Sequence, residues 1–159
     1  MVLEYSAGAR IQMAVKRYCQ RTVNRIRASG WVGVQYLRNA ELKVLSGQRS
    51  GRRYNVPGTG RVKYYKRTHR AAVTYRRYTA SAPGEAPAVR TGVFRTSWQM
   101  VVRDRPNGVL LRLNTSENRK RYPGYLDKGT RKMVPRPYAK PIQDMAVPQV
   151  RRVYQNMRL

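Results

Sequence analysis

Apolar side chains recur every three or four positions between residues 8 and 46. Ile11, Val15, Tyr18, Cys19, Thr22 and Ile26 form one stripe, and Val34, Leu37, Ala40, Val44 and Leu45 continue the pattern. This is the spacing of an amphipathic helix, and it predicts helix over 8–46. Arg10, Arg17 and Arg21 form a second line beside the first stripe. Ser29 and Gly30 are expected to break or bend the helix, and Ser46 and Gly47 to cap its end. A continuous apolar stripe implies burial, so the 8–46 helix is expected to supply much of the core.

The pattern changes over 47–90, where Gly, Pro, Ser and Arg dominate. Two short runs, Arg61–Lys66 and Ala72–Tyr78, are rich in β-branched and aromatic residues and read as strands of a long β-hairpin or arm. Residues 91–115 return to core character. A short helical turn leads into a strand, residues 105–108 (RPNG) make a turn, and GVLLRLNT is the returning strand. Residues 122–130 predict a short helix or turn. A last helix over 138–157 carries Ile142, Ala146, Val150, Val153 and Met157 on one face, and Pro148 must kink it or mark its true start. The elements fit one domain, 1–159, made of a helical 8–46, a basic loop or arm and strap over 47–90, a hairpin over 91–115, and a turn and C-terminal helix over 122–157.

Charge changes the picture more than any motif. The 159 residues include 34 Lys and Arg against 7 Asp and Glu, a formal net charge of +27. Self-repulsion on that scale works against a lone compact fold, and a polyanion relieves it. Arg52, Arg53, Arg61, Lys63, Lys66, Arg67, Arg70, Arg76 and Arg77 concentrate in the arm and are the candidates to face DNA. Tyr is abundant, 12 residues against 1 Phe; with Arg it suits wet surfaces facing protein or nucleic acid.

Catalytic chemistry is not assembled by this sequence. His69, the one histidine, sits in the most basic segment and reads as a surface residue. Cys19, the one cysteine, falls on the apolar stripe and reads as a packed thiol; it allows no internal disulfide. The acidic residues Glu4, Glu41, Glu85, Asp104, Glu117, Asp127 and Asp144 are scattered, and no metal-ligand spacing occurs. The segment SGQRSGRRYNVPGTGR lacks the P-loop pattern. Neither cofactor nor metal is expected. No apolar run reaches the length of a membrane span, and residues 1–9 lack the pattern of a secretion signal.

Three separated segments carry a more specific signal: SGQRSGRRY (46–54) after the first helix, SAPGEAPAVRTG (81–92) before the hairpin, and YLDKGTRKMVPRPYAKP (125–141) before the last helix. In this order they resemble the small neck proteins of long-tailed bacteriophages, the head–tail joining or tail-completion family. The resemblance covers about residues 8–157. Asp127 stands where the family has Glu, Val93 and Phe94 follow Thr-Gly where Leu is common, and Tyr138 replaces Phe. The resemblance implies an α+β fold, with the long N-terminal helix and the C-terminal helix packed on a small antiparallel sheet, the basic β-hairpin or arm being additional. It also implies a six- or twelve-fold ring around the DNA channel, in contact with neighbouring neck and tail proteins. The expected location is the virion, after assembly in the bacterial cytoplasm. Prolines and small residues in the second and third segments suit straps against a neighbour. Ser81, Pro83, Gly84, Glu85, Pro87, Tyr122, Tyr125, Leu126, Gly129, Pro135, Arg136, Pro137 and Tyr138 are therefore the candidates for subunit or partner contact. Two other readings compete: a tail terminator capping the tail tube, and a free, non-specific nucleic-acid-binding module.

Overall fold

The computed structural model describes residues 7–106, 108–116 and 122–157; Asn107, expected in a turn, falls outside them. The fold is α+β. Helix α1 runs unbroken over Ala7–Ser46, 40 residues, a rod of about 60 Å. The expected break at Ser29 and Gly30 does not occur. Gly30 and Gly33 are contact points instead: a Cβ on Gly30 would meet Val102, Val109 and Leu111 at 3.1–3.2 Å, and one on Gly33 would meet Leu111 at 2.8 Å. The glycines cost helix propensity, about 1 kcal/mol each, and in exchange let the helix backbone lie directly on a sheet.

That sheet is a hairpin of two strands reached through a short helix, α2 (Val93–Thr96). In chain order the strands are β1 (Arg53–Asn55), β2 (Arg61–Tyr65), β3 (Arg70–Thr74), β4 (Arg77–Thr79), β5 (Trp98–Arg105) and β6 (Gly108–Thr115). β5 pairs antiparallel with β6 from Trp98↔Thr115 to Arg105↔Gly108. Alternation puts Trp98, Met100, Val102, Val109, Leu111 and Leu113 on one face, and Val102, Val109 and Leu111 meet α1 there.

Helix α3 (Tyr122–Lys128) and helix α4 (Ala139–Gln155) complete the molecule. Pro148 neither starts nor ends α4, which begins nine residues before it. The core is small: Ala40, Leu45, Leu126, Tyr138, Ile142 and Ala146, flanked by Leu37, Val44, Phe94, Trp98 and Met133. Phe94 stands edge-on to Trp98 (5.6 Å), Tyr138 (5.4 Å) and Tyr122 (6.1 Å). Only the C-terminal half of α1 reaches this core. Towards its N-terminus Ile11 is 65% exposed, Val15 56% and Tyr18 63%, so the expectation that the continuous apolar stripe is buried is corrected for this stretch. The periodicity is real, but the subunit's own sheet stops near Arg27, which is paired with Asp104 of β5.

The end of α1 also differs from expectation. Gly47 does not adopt a left-handed conformation. The Arg49 guanidinium donates to the Val44 carbonyl at 2.8 Å instead, satisfying one of the orphaned carbonyls of the last turn.

Candidate assembly and nucleic-acid interface

The three segments singled out in the sequence converge on one junction. Ser50 of the first donates its amide and hydroxyl to the Glu85 carboxylate of the second, at 3.1 and 2.6 Å, and the Ala82 amide adds a third bond at 2.8 Å. Arg49 reaches the Pro87 carbonyl at 3.3 Å. Arg136 of the third segment donates to the Ser81 carbonyl at 2.9 Å and to its hydroxyl, and Ser81 Oγ accepts from the Ala88 amide at 3.1 Å. Within the third segment Asp127 Oδ1 accepts from the amides of Tyr138 and Ala139 at 3.0 and 3.2 Å, so it caps the start of α4. The Tyr138 hydroxyl donates to the Pro123 carbonyl at 3.0 Å. Gly129 (φ 76°) makes the tight return after α3; a Cβ there would meet the Met133 carbonyl at 2.7 Å.

This geometry corrects part of the proposed contact set. Leu126 (4% exposed), Tyr138 (5%) and Ser81 (5%) face the interior of the chain's own fold, and Pro87 is buried as well. These residues, with Gly129 and the half-buried Arg136, build the junction rather than an outer surface. Glu85 and Pro137 are half-buried, and Glu85 is engaged by Ser50 and Ala82. Pro83, Gly84, Tyr122, Tyr125 and Pro135 are exposed, with Tyr122 edge-on to Phe94 and the Gly84 amide donating to the Pro135 carbonyl at 3.4 Å. Compositional reasoning missed this division because a Pro- and Gly-rich segment with aromatic anchors looks the same whether it straps a neighbour or closes on its own chain.

The electrostatics of the junction follow from its bonds. The Ser50 hydroxyl, the Ala82 amide and the Ser50 amide hold the Glu85 carboxyl below its usual range. Burial pushes the Tyr138 hydroxyl up to about 12, with Asp127 adding to the shift. Nearby, on α1, Glu41 is fully buried. Burial raises its carboxyl to about 7, and the Arg38 guanidinium only partly opposes this.

The basic arm is a two-tier ribbon. β1 pairs with β4 at its base, with Tyr54↔Tyr78 central, and β2 pairs with β3 above it. The Val56 amide donates to the Arg76 carbonyl at 2.7 Å, and Thr59 Oγ1 accepts from the Arg76 amide at 3.1 Å, carrying the ladder across the step between tiers. Every residue of β2 and β3 is exposed. The nine cations expected to face DNA are all exposed, but they do not share one face. Arg61, Lys63 and Arg70 share one side of the upper tier with Tyr65, whose ring lies 5.4 Å from Lys63 Nζ. Arg53 and Arg77 share one side of the lower tier, Arg52 lies over the Tyr54 ring at 5.8 Å, and Lys66 and Arg67 lie in the tip turn. Arg76 donates to the Arg90 carbonyl at 3.3 Å.

His69 is exposed at the same tip with φ 48°, its Nδ1 3.3 Å from the Tyr64 hydroxyl. Cys19 is exposed on α1, which corrects its reading as a packed thiol. Among the described residues no His, Cys, Asp and Glu group is arranged to hold a metal ion, and no helix is long and apolar enough to cross a membrane. Comparison with protein-family models, with curated proteins and with solved structures finds no match.

Proposed function

We propose that this chain is a structural, non-enzymatic subunit of a phage neck, forming a ring that joins head to tail around the DNA. One observation carries the assembly reading. The chain exposes 12863 Å², whereas a compact monomer of its 18.4 kDa exposes about 8,200 Å². Two projections stand out on this surface: the outer half of α1, where Ile11, Val15 and Tyr18 are exposed, and the upper tier of the arm, where every residue of β2 and β3 is exposed. A chain with this surface and a charge of +27 gains stability when partners cover the projections and a polyanion neutralises the charge. The phage-neck assignment itself rests on the order of the three segments, and their convergence on one junction supports treating them as a single structural signature.

In this reading the ring positions its neighbours by geometry, and its cations hold the DNA end without reading sequence. Sedimentation and negative-stain imaging of the purified protein, with and without double-stranded DNA, test the proposal. A ring of fixed symmetry is expected. A monomer that coats DNA without closing would replace this reading with a free nucleic-acid-binding module.

A further inference from the structure

The upper tier of the arm is two-faced. Its register pairs Arg61↔Thr74, Val62↔Val73, Lys63↔Ala72, Tyr64↔Ala71 and Tyr65↔Arg70. Since successive side chains alternate, Val62, Tyr64, Ala71 and Val73 form one face, and Arg61, Lys63, Tyr65, Arg70, Ala72 and Thr74 the other. The first face is apolar and open: Val62 is 74% exposed, Tyr64 58% and Val73 53%.

A second open apolar face lies at the other extreme of the chain. Ile11, Val15 and Cys19 are exposed and Thr22 and Ile26 half-buried; they follow steps of four and three along α1 and continue the same side of the helix that buries Gly33 and Ala40 and half-buries Val44 further on. The stripe outruns its own sheet by about 22 Å from Ile26 to Ile11. The ribbon's apolar face is about 17 Å long. Cations lie away from each face: Arg61, Lys63 and Arg70 on the opposite side of the ribbon, and Arg10, Arg17 and Arg21 in the second line of the helix, about 140° round from the stripe.

We propose that the apolar face of β2–β3 in one subunit clasps the α1 stripe of the next copy. A second copy is the occupant for two reasons. The surface in excess of a compact monomer, about 4,700 Å², exceeds the roughly 800 Å² that each partner gives to a stable interface, so covering one face alone leaves much of it open. One head-to-tail contact between copies covers both faces at once, and repeating it closes a ring when the rotation allows. Arg10, Arg17 and Arg21 on the helix and Arg61, Lys63 and Arg70 on the ribbon point away from the joint; Arg61, Lys63 and Arg70 are then presented outward, to DNA. This inference rests on the ring reading and adds to it which surfaces join and which side of the arm meets nucleic acid.

Cys19 lies on the stripe and is exposed, so it serves as a native probe. Ala71→Cys places a thiol on the apolar face of the ribbon, and Ala72→Cys places one on the cationic face one residue away. Both variants of the full chain are assembled with double-stranded DNA, oxidised mildly and run on non-reducing gels, with sedimentation run in parallel. Ala71→Cys is expected to give a ladder of cross-linked subunits that Cys19→Ser abolishes, and Ala72→Cys to stay at the wild-type background. A sedimenting ring without the Ala71→Cys ladder overturns the clasp and leaves the ring standing. Equal cross-linking of the two variants, or a ladder that survives Cys19→Ser, overturns the choice of faces. A protein that stays monomeric with DNA overturns both the clasp and the ring.

Discussion

Replacing Glu41 by Gln tests whether a buried carboxylate destabilises this fold above neutral pH. Glu41 is fully buried on α1. One carboxylate oxygen pairs with the Arg38 guanidinium, and the other has no hydrogen-bond partner. Burial raises the carboxyl from 4.5 to about 7. An acid with a raised folded pKa binds its proton more tightly in the folded state. Its neutral form therefore imposes no penalty below about pH 4.5, and the penalty grows as pH rises to about 7 and is complete above it. The shift corresponds to about 3 kcal/mol. Gln keeps the shape and an acceptor for Arg38 but cannot ionise. Urea unfolding followed by circular dichroism, at pH 5 and pH 8 for both proteins, isolates the effect, because every other titrating group cancels in the difference. The variant is expected to gain about 2–3 kcal/mol on wild type between pH 5 and pH 8. A stability difference that stays constant across that range would refute the reasoning; it would mean that Arg38 and Arg95 compensate the burial fully.

The other expected outcomes touch the arm and the junction. Changing Arg52, Arg53, Arg76 and Arg77 together to Gln should flatten the dependence of log affinity for duplex DNA on log salt by about three to four, near 0.9 for each phosphate that is no longer neutralised; an unchanged slope in filter binding would place the DNA on another surface. Leu126→Asp puts an unpaired charge in the core and should cost about 3–5 kcal/mol, so the isolated subunit should lose its circular dichroism signal before assembly is reached. Gly129→Ala forces a left-handed alanine against the Met133 carbonyl and should lower the urea midpoint by the equivalent of about 1–3 kcal/mol. Glu85 is held below its usual range by Ser50 and Ala82, so its contribution is present above its unfolded value near 4.5 and is lost as pH falls through the lower folded value; Glu85→Gln should make the acid-unfolding curve shallower in that region, and an unaltered curve would discount the carboxylate's role.

Periodicity made the helices legible, and the turn residues around Pro106 and Gly108 made the β5–β6 hairpin legible. Both signals are local, and nothing in the tertiary structure overrides them. The unbroken run of α1 through Ser29 and Gly30 was not legible, because a helix-weakening glycine and a glycine that admits a sheet are the same residue in sequence. Likewise the stripe from Ile11 to Ile26 shows which side of the helix is apolar, but not where the subunit's own sheet ends. Leu126 and Tyr138 were read as outward anchors for the same kind of reason. Phe94 and Trp98 meet the Tyr138 ring from a distant segment and pack against the core that Leu126 shares, and spacing along the chain does not encode that. The Arg49 cap was hidden in a run of arginines whose common reading is solvent or phosphate.

The junction also bears on what the three segments can tell about function. Ser50, Ser81, Glu85, Asp127, Gly129 and Arg136 are each explained by a bond or a tight return within one subunit. Their residue types therefore report the fold, and any protein built on this junction would need similar ones. The junction holds apart two surfaces that the segments do not include: the outer half of α1 and the upper tier of the arm. Both carry exposed apolar residues, Ile11 and Val15 on one and Val62 and Val73 on the other, together with several exposed cations. A monomer gains nothing from that combination, since open apolar area costs solvation free energy and massed like charge costs Coulomb energy. An assembly around a polyanion removes both costs together. Under the proposed function, stability and assembly are therefore one physical problem, and a neighbouring copy together with DNA would meet both halves of it.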